Sequence, residues 1–197
     1  MEIDVKNIKA AYRTATESER TLLYTLFPDL HLGEDNEEKD NRPVTERIKT
    51  FEDAVKELGT DNPIYYAYEN AQAIFEQNGN DYNLLAYTKL RIITAALNEG
   101  WQPKFTQDEW RWYPWFTLWT EEKLSEKSEE WKADRHLIST GDYSGDYAGF
   151  AYSDSFYAPS DTAADFGYRL CFKSEALATY CGKQFISLWA DFYLIRK

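Results

Sequence analysis

The sequence predicts an α+β protein, and three observations carry that reading. Capped amphipathic helical segments fill the chain up to about residue 100, and another closes it after residue 174. Between them the character changes to aromatic-dense, strand-like runs, beginning with WRWYPWFTLW at 110–119. No long internal repeat or low-complexity tract suggests a solenoid or a fibre.

Taken in order, the first thirty residues read as a helical hairpin. Its second helix opens on a capping box, Thr16 with Glu19, carries Leu22, Leu23, Leu26 and Phe27, and stops at Pro28. The polar run HLGEDNEEKDNRP at 31–43 has no apolar period and reads as an acidic linker, extending through residue 49. Thr50 then caps a turn with Phe51, Ala54, Val55 and Leu58 on one face, ended by Gly59. Asn62 and Pro63 start the next helix, which closes near Gly79, and a third spans Asn83 to Glu99 before Gly100.

Pro114 inside the 110–119 run is rejected by a helix and marks an irregular or edge strand. TEEKLSEKSEEWKAD reads as a short helix plus loop, and RHLIS at 135–139 starts another strand. Two more strands are expected, around Tyr147 to Ser153 and Gly167 to Phe172. Ser174 caps a C-terminal helix with Leu177, Cys181, Phe185, Leu188, Trp189 and Phe192 on its apolar face. The domain reading is therefore 1–30 helical hairpin, 31–49 linker and 50–197 principal domain.

Composition narrows the function classes. A formal net charge of −12 repels phosphate backbones and anionic lipid surfaces, so neither nucleic acid nor a membrane is an expected partner. The N-terminus MEIDVKNIKAAYR lacks a signal-peptide pattern and no apolar run reaches membrane-span length, which gives an expectation of cytoplasmic synthesis. Cys171 and Cys181 fall in apolar patterns and read as buried free thiols. His31 and His136 do not converge with other ligands or with a nucleophile, so no metal, no cofactor and no catalytic residue is expected.

One stretch stands apart. Residues 139–168, STGDYSGDYAGFAYSDSFYAPSDTAADFGY, hold five each of Asp, Tyr, Ser and Ala, with no Leu, Ile, Val, Lys or Arg. Without aliphatic residues the segment builds little conventional core, yet its eight Tyr and Phe rings exceed what a solvated loop needs. Tyr with Ser, Gly and Asp is the composition of recognition loops, because tyrosine offers broad, stiff contact area at low entropy cost. The expected ligand-facing residues are Tyr143, Asp146, Tyr147, Tyr152, Asp154, Phe156, Tyr157 and Asp161, with Ala148, Phe150 and Ala151 supporting the sheet. The alternative is a Gly-rich sheet edge whose tyrosines pack on the 110–119 strand.

At FGYRLCFKSEALATY, 166–180, with ALNEGWQPKF and WRWYPWF upstream, the chain resembles phage and prophage proteins of gut Bacteroides-type bacteria. The layout, a small-and-aromatic segment before Gly-x-Arg-Leu, is similar to the variable proteins diversified by retroelements. That resemblance implies a small mixed or antiparallel sheet of C-type-lectin-like type, related to the formylglycine-generating enzyme fold. It implies a non-catalytic protein that binds a host-surface or partner molecule. The amphipathic pattern of the N-terminal helices and the acidic linker after them give a separate expectation, a homo-oligomer or virion attachment through those helices. Two other functions follow from the charge and the rings: an acidic effector that blocks a host enzyme or defence complex, and a structural virion subunit.

Overall fold

The computed structural model describes residues 5–30, 32, 40–79, 81–104, 106, 108–159 and 168–197. The chain forms two compact units, Met1–Asn41 and Arg42–Lys197. The first is a helix pair, α1 (Val5–Thr14) and α2 (Glu17–Leu26). Both the backbone N–H and the hydroxyl of Thr16 donate to Glu19 Oε2 at 2.7 Å, the capping box written in the sequence. The rings of Tyr12 and Tyr24 meet edge-on at 5.3 Å to close the pair.

The second unit starts with α3 (Val44–Arg47), whose Val44 is buried together with Ile48 in the main core. Residues 42–49 therefore belong to the folded body and not to the linker. Helices α4 (Phe51–Leu58), α5 (Pro63–Asn78) and α6 (Tyr82–Leu97) follow. Each begins where side-chain chemistry satisfies an orphan N–H: Thr50 accepts from Asp53, Asn62 from Ile64 and Asp81 from Leu84. Helix α6 packs against both α4 and α5, and Leu90, Ile92, Ile93 and Leu97 are fully buried. That burial on several sides makes α6 the spine of the helical half.

Strand β1 (Trp110–Trp119) leads to α7 (Glu121–Ser125), α8 (Glu129–Asp134) and the two-residue β2 (Ile138–Ser139). Strand β3 (Gly149–Pro159) completes a three-stranded antiparallel sheet in the order β1-β3-β2. The chain closes with α9 (Glu175–Gln184) and α10 (Ile186–Tyr193). The fold is α+β, as the sequence predicts. Five elements differ: the 120–134 stretch, expected as one short helix plus loop, forms both α7 and α8, and the strand expected at 135–139 is only Ile138–Ser139. The single C-terminal helix breaks at Phe185, whose φ of −113° and ψ of 31° are not helical. The strand expected to end at Ser153 runs on to Pro159. The strand expected at 167–172 is, in its described part, a 3-10 turn at Tyr168–Leu170 followed by one bridge from Phe172 to Trp112.

That bridge joins the two halves of the unit. Phe172 exchanges both backbone hydrogen bonds with Trp112, at 2.9 and 3.0 Å. An extended segment points its neighbouring backbone groups the other way, and there Asn98, just past α6, takes them both. Its amide donates to the Cys171 carbonyl at 2.8 Å and its carbonyl accepts from Lys173 N–H at 3.1 Å. One buried side chain thus acts as the missing strand on that side. The turn beyond it holds Glu99 in left-handed backbone, φ 50°, where Glu99 pairs with Arg47 at 2.7 Å and Lys173 at 3.0 Å.

Helix α9 lies close against the sheet. A Cβ on Gly182 would stand 2.7 Å from Pro114 Cβ and 2.9 Å from the Tyr152 ring, so only glycine permits this approach. Against its face Phe116 stacks on Phe150 at 4.9 Å and meets Trp189 of α10 at 5.4 Å.

Replacing Asn98 by Ala leaves two backbone groups without partners in a buried setting and is expected to cost on the order of 3 kcal/mol. Asn98→Asp keeps the acceptor but sets a carboxylate against the Cys171 carbonyl, and is expected to be no better. Urea unfolding of both variants checks this; a loss of less than about 1 kcal/mol for Asn98→Ala would show that the amide does not clamp the segment.

Candidate functional site: an exposed aromatic cluster on the sheet

Strand β3 carries one residue more than its partner requires. Trp115 faces Asp154 while Phe116 faces Tyr152, leaving Ser153 as a bulge. The bulge shifts parity, so Phe150 and Tyr152 before it share a face with Ser155 and Tyr157 after it, opposite Leu118, Phe116, Pro114 and Trp112. Arg135 stabilises the kink from outside, accepting from Tyr152 N–H at 3.0 Å and donating its guanidinium to the Ser153 carbonyl.

Two of the expected contact residues are core residues. Tyr152 is 5 % exposed, and its hydroxyl joins Ser155 and Thr179 in a triangle of 3.0 Å contacts beneath α9. Period-two geometry places it with Phe150, not opposite it. Tyr143 is also 5 % exposed. Its hydroxyl donates to Asp191 Oδ1 at 2.7 Å, and the same oxygen accepts from Arg196 at 2.7 Å. The Arg196 guanidinium also lies over the Tyr143 ring at 5.2 Å and the Tyr82 ring at 4.6 Å. These partners are remote in sequence, which is why composition alone marked Tyr143 as exposed.

The remaining candidates divide into two groups. Asp146 and Tyr147 are exposed on the loop before β3, next to the Trp119 end of β1. That loop is tied down by the C-terminal segment, where Ser144 N–H donates to the Ile195 carbonyl at 2.7 Å and Lys197 N–H to Asp142 at 3.0 Å. Asp154, Phe156 and Tyr157 are exposed toward the other end of the strand, about 25 Å away at roughly 3.3 Å per residue. Asp161 lies outside the described residues.

The second group has partners that the sequence reading did not assign to the surface. Trp110 is 47 % exposed, Trp115 43 %, Phe156 57 % and Tyr157 38 %. Tyr157 contacts Trp110 at 4.2 Å and runs parallel to Phe156 at 5.4 Å, while Phe156 meets Trp115 edge-on at 6.3 Å. These contacts link four exposed rings from both faces of the ribbon, Trp110 and Tyr157 on the face shared with Tyr152 and Trp115 and Phe156 on the other. Asp154 borders them, with its carboxylate held by Ser155 N–H at 2.8 Å. The signal available in the sequence was that WRWYPWF puts rings at both parities of a strand, and one helical layer cannot bury both.

Burial pushes the thiols of Cys171 and Cys181 up to about 12, so both are protonated at neutral pH and lack nucleophilic character. A shallow cleft of about 800 Å³ beside α9 is lined by His136, Glu175, Thr179, Tyr180 and Lys183. There Lys183 pairs with Asp134 at 3.1 Å and Tyr180 donates to the Ile48 carbonyl at 2.6 Å. Among the described residues, no group of three or more His, Cys, Asp or Glu is placed to hold a metal ion, and no helix is long and apolar enough to cross a membrane. No family model matches the chain, and no curated protein sequence or solved structure does so either.

Burial raises the phenol of Tyr143 to about 12, reinforced by its hydrogen bond to Asp191, and burial does the same for Tyr180. The unfolded chain releases these protons near 10 while the folded chain keeps them, so their stabilising effect is present below pH 10 and is lost as pH rises toward 12. The urea midpoint is expected to fall across that window, and less steeply in Tyr143→Phe. Identical pH profiles for the two proteins would contradict the burial of Tyr143.

Proposed function

We propose that the chain is a non-catalytic ligand-binding protein whose contact surface is the cluster of Trp110, Trp115, Phe156 and Tyr157, bordered by Asp154. The observation that carries this reading is the continuity of the four exposed rings. Large aromatic groups gathered on a surface are costly to leave in water and are enriched at the energetic centres of interfaces. Their position on a paired, α9-backed ribbon keeps them preorganised, which lowers the entropy lost on binding.

The ligand class proposed is a protein or a host-surface molecule. The resemblance at 166–180 supports a phage or prophage origin, a C-type-lectin-like arrangement of the sheet and diversification of residues in the 139–168 stretch. In this reading residues 1–41 are the tether or oligomerisation element, a role suited to a separate compact unit. One observation favours a second reading, that of an acidic effector directed at a basic site: the net charge of −12.

Arrayed glycans and bacterial surface preparations, probed with wild type and with Phe156→Ala and Trp110→Ala, separate the two. The ring surface predicts saturable binding that each substitution weakens by about thirtyfold, or roughly 2 kcal/mol, and that changes little between about 50 and 500 mM salt. Binding that survives both substitutions, or that collapses with salt, would overturn it; salt collapse would favour the acidic effector.

A further inference from the structure

A second aromatic arrangement lies at the far end of β1. Trp119 closes the strand, and Trp131 is set in the first turn of α8 by Ser128, whose hydroxyl accepts from Trp131 N–H at 3.1 Å. The two indoles meet at 5.0 Å with an interplanar angle of 76°, making two walls of a corner. Lys127, in the link between α7 and α8, places Nζ in that corner, 5.2 Å from the Trp119 ring and 5.5 Å from the Trp131 ring. Helix α7 is fixed beside it because Leu124 packs over Gly149, where a Cβ would come within 2.8 Å.

The choice made by Lys127 is informative. Glu121, Glu122, Glu126, Glu129 and Glu130 surround it in sequence and are all exposed. Among the described residues none of them lies in ion-pair range of Lys127, although Lys132 takes Glu129 at 2.7 Å. The ammonium group instead occupies the rings. Two indole faces at a right angle give an ammonium cation a stronger field than one face does, and they favour a methylated ammonium, which loses less hydration on entering. The glutamates add a negative rim, which attracts cations and repels phosphate.

We propose that Trp119 and Trp131 form a cage for a methylated lysine side chain, and that Lys127 occupies it as an internal stand-in until such a side chain displaces it. Phosphocholine, which carries the same quaternary group, is disfavoured by its phosphate against the glutamate rim. This site is separate from the Trp110–Tyr157 cluster, so either reading stands if the other fails.

The test uses the full chain and acetyl-Nε-trimethyllysine amide as probe, followed by the two indole N–H resonances of Trp119 and Trp131. In Lys127→Ala the probe is expected to shift both resonances saturably, about tenfold more tightly than in wild type, because no internal competitor has to leave. Adding Trp131→Leu to that variant is expected to abolish the shift, and phosphocholine is expected to bind more weakly than the lysine probe. Absence of saturable shifts in Lys127→Ala would overturn the proposal, as would equal binding with and without Trp131. Tighter binding of phosphocholine would overturn the choice of ligand. Lys127→Gln serves as the second variant; if neither variant folds, Lys127 is a structural pin and the proposal fails.

Discussion

The structure depends on a short extended segment being bonded on both sides by groups of different kinds. Phe172 gives its N–H and C=O to Trp112 of the sheet, and the flanking Cys171 carbonyl and Lys173 N–H go to the amide of Asn98 at the end of α6. A buried backbone needs a partner for every polar group, and here the helical half supplies what a further strand would. Glu99 extends the same junction outward through Arg47 and Lys173, and the hydrogen bond from Lys173 is the main cause holding its carboxyl below the usual range. With β1 anchored through Trp112, α9 is delivered by the same segment directly onto the ribbon, where Gly182 allows contact with Pro114 and Tyr152.

This arrangement explains where the rings are spent. The face of the ribbon turned toward α9 and α10 absorbs Phe116, Phe150 and Tyr152. On the other face Arg111 and Tyr113 are buried, but Trp115 and Phe156 are not. The β-bulge at Ser153 decides which β3 rings belong to each set, and beyond it the strand carries Phe156 and Tyr157 to Trp115 and Trp110. A rigid, twice-backed core therefore presents a small aromatic surface, while the tyrosines nearest the C-terminus serve stability through Asp191 and Arg196.

Much of the helical half was legible because its signals are local. Thr16 with Glu19, Thr50, Asn62 before Pro63 and Ser174 all cap helices within a residue or two of their expected starts. The sheet was less legible. A two-residue pattern cannot register the extra Ser153, and one missed residue exchanges the two faces of everything after it. Tyr143 and Tyr152 were taken for surface residues because their partners, Asp191 and Thr179, are distant in sequence. The break at Phe185 was hidden because the apolar period of α9 continues across it into α10. Phe156 and Tyr157 are both exposed, on opposite faces of the strand, but Trp110 and Trp115, which they touch, were read only as strand residues.

The proposed contact surface is formed by the rings at 110, 115, 156 and 157, whereas those at 143 and 152 are core. Hydroxyl-radical footprinting of the whole protein, alone and then with a captured host-surface ligand, addresses both parts at once. Strong oxidation of the first four residues is expected in the protein alone, with protection of the same four on binding and little oxidation of Tyr143 and Tyr152 in either state. Protection confined to other surfaces, or equal oxidation of Tyr152 and Phe156 in the unbound protein, would contradict it.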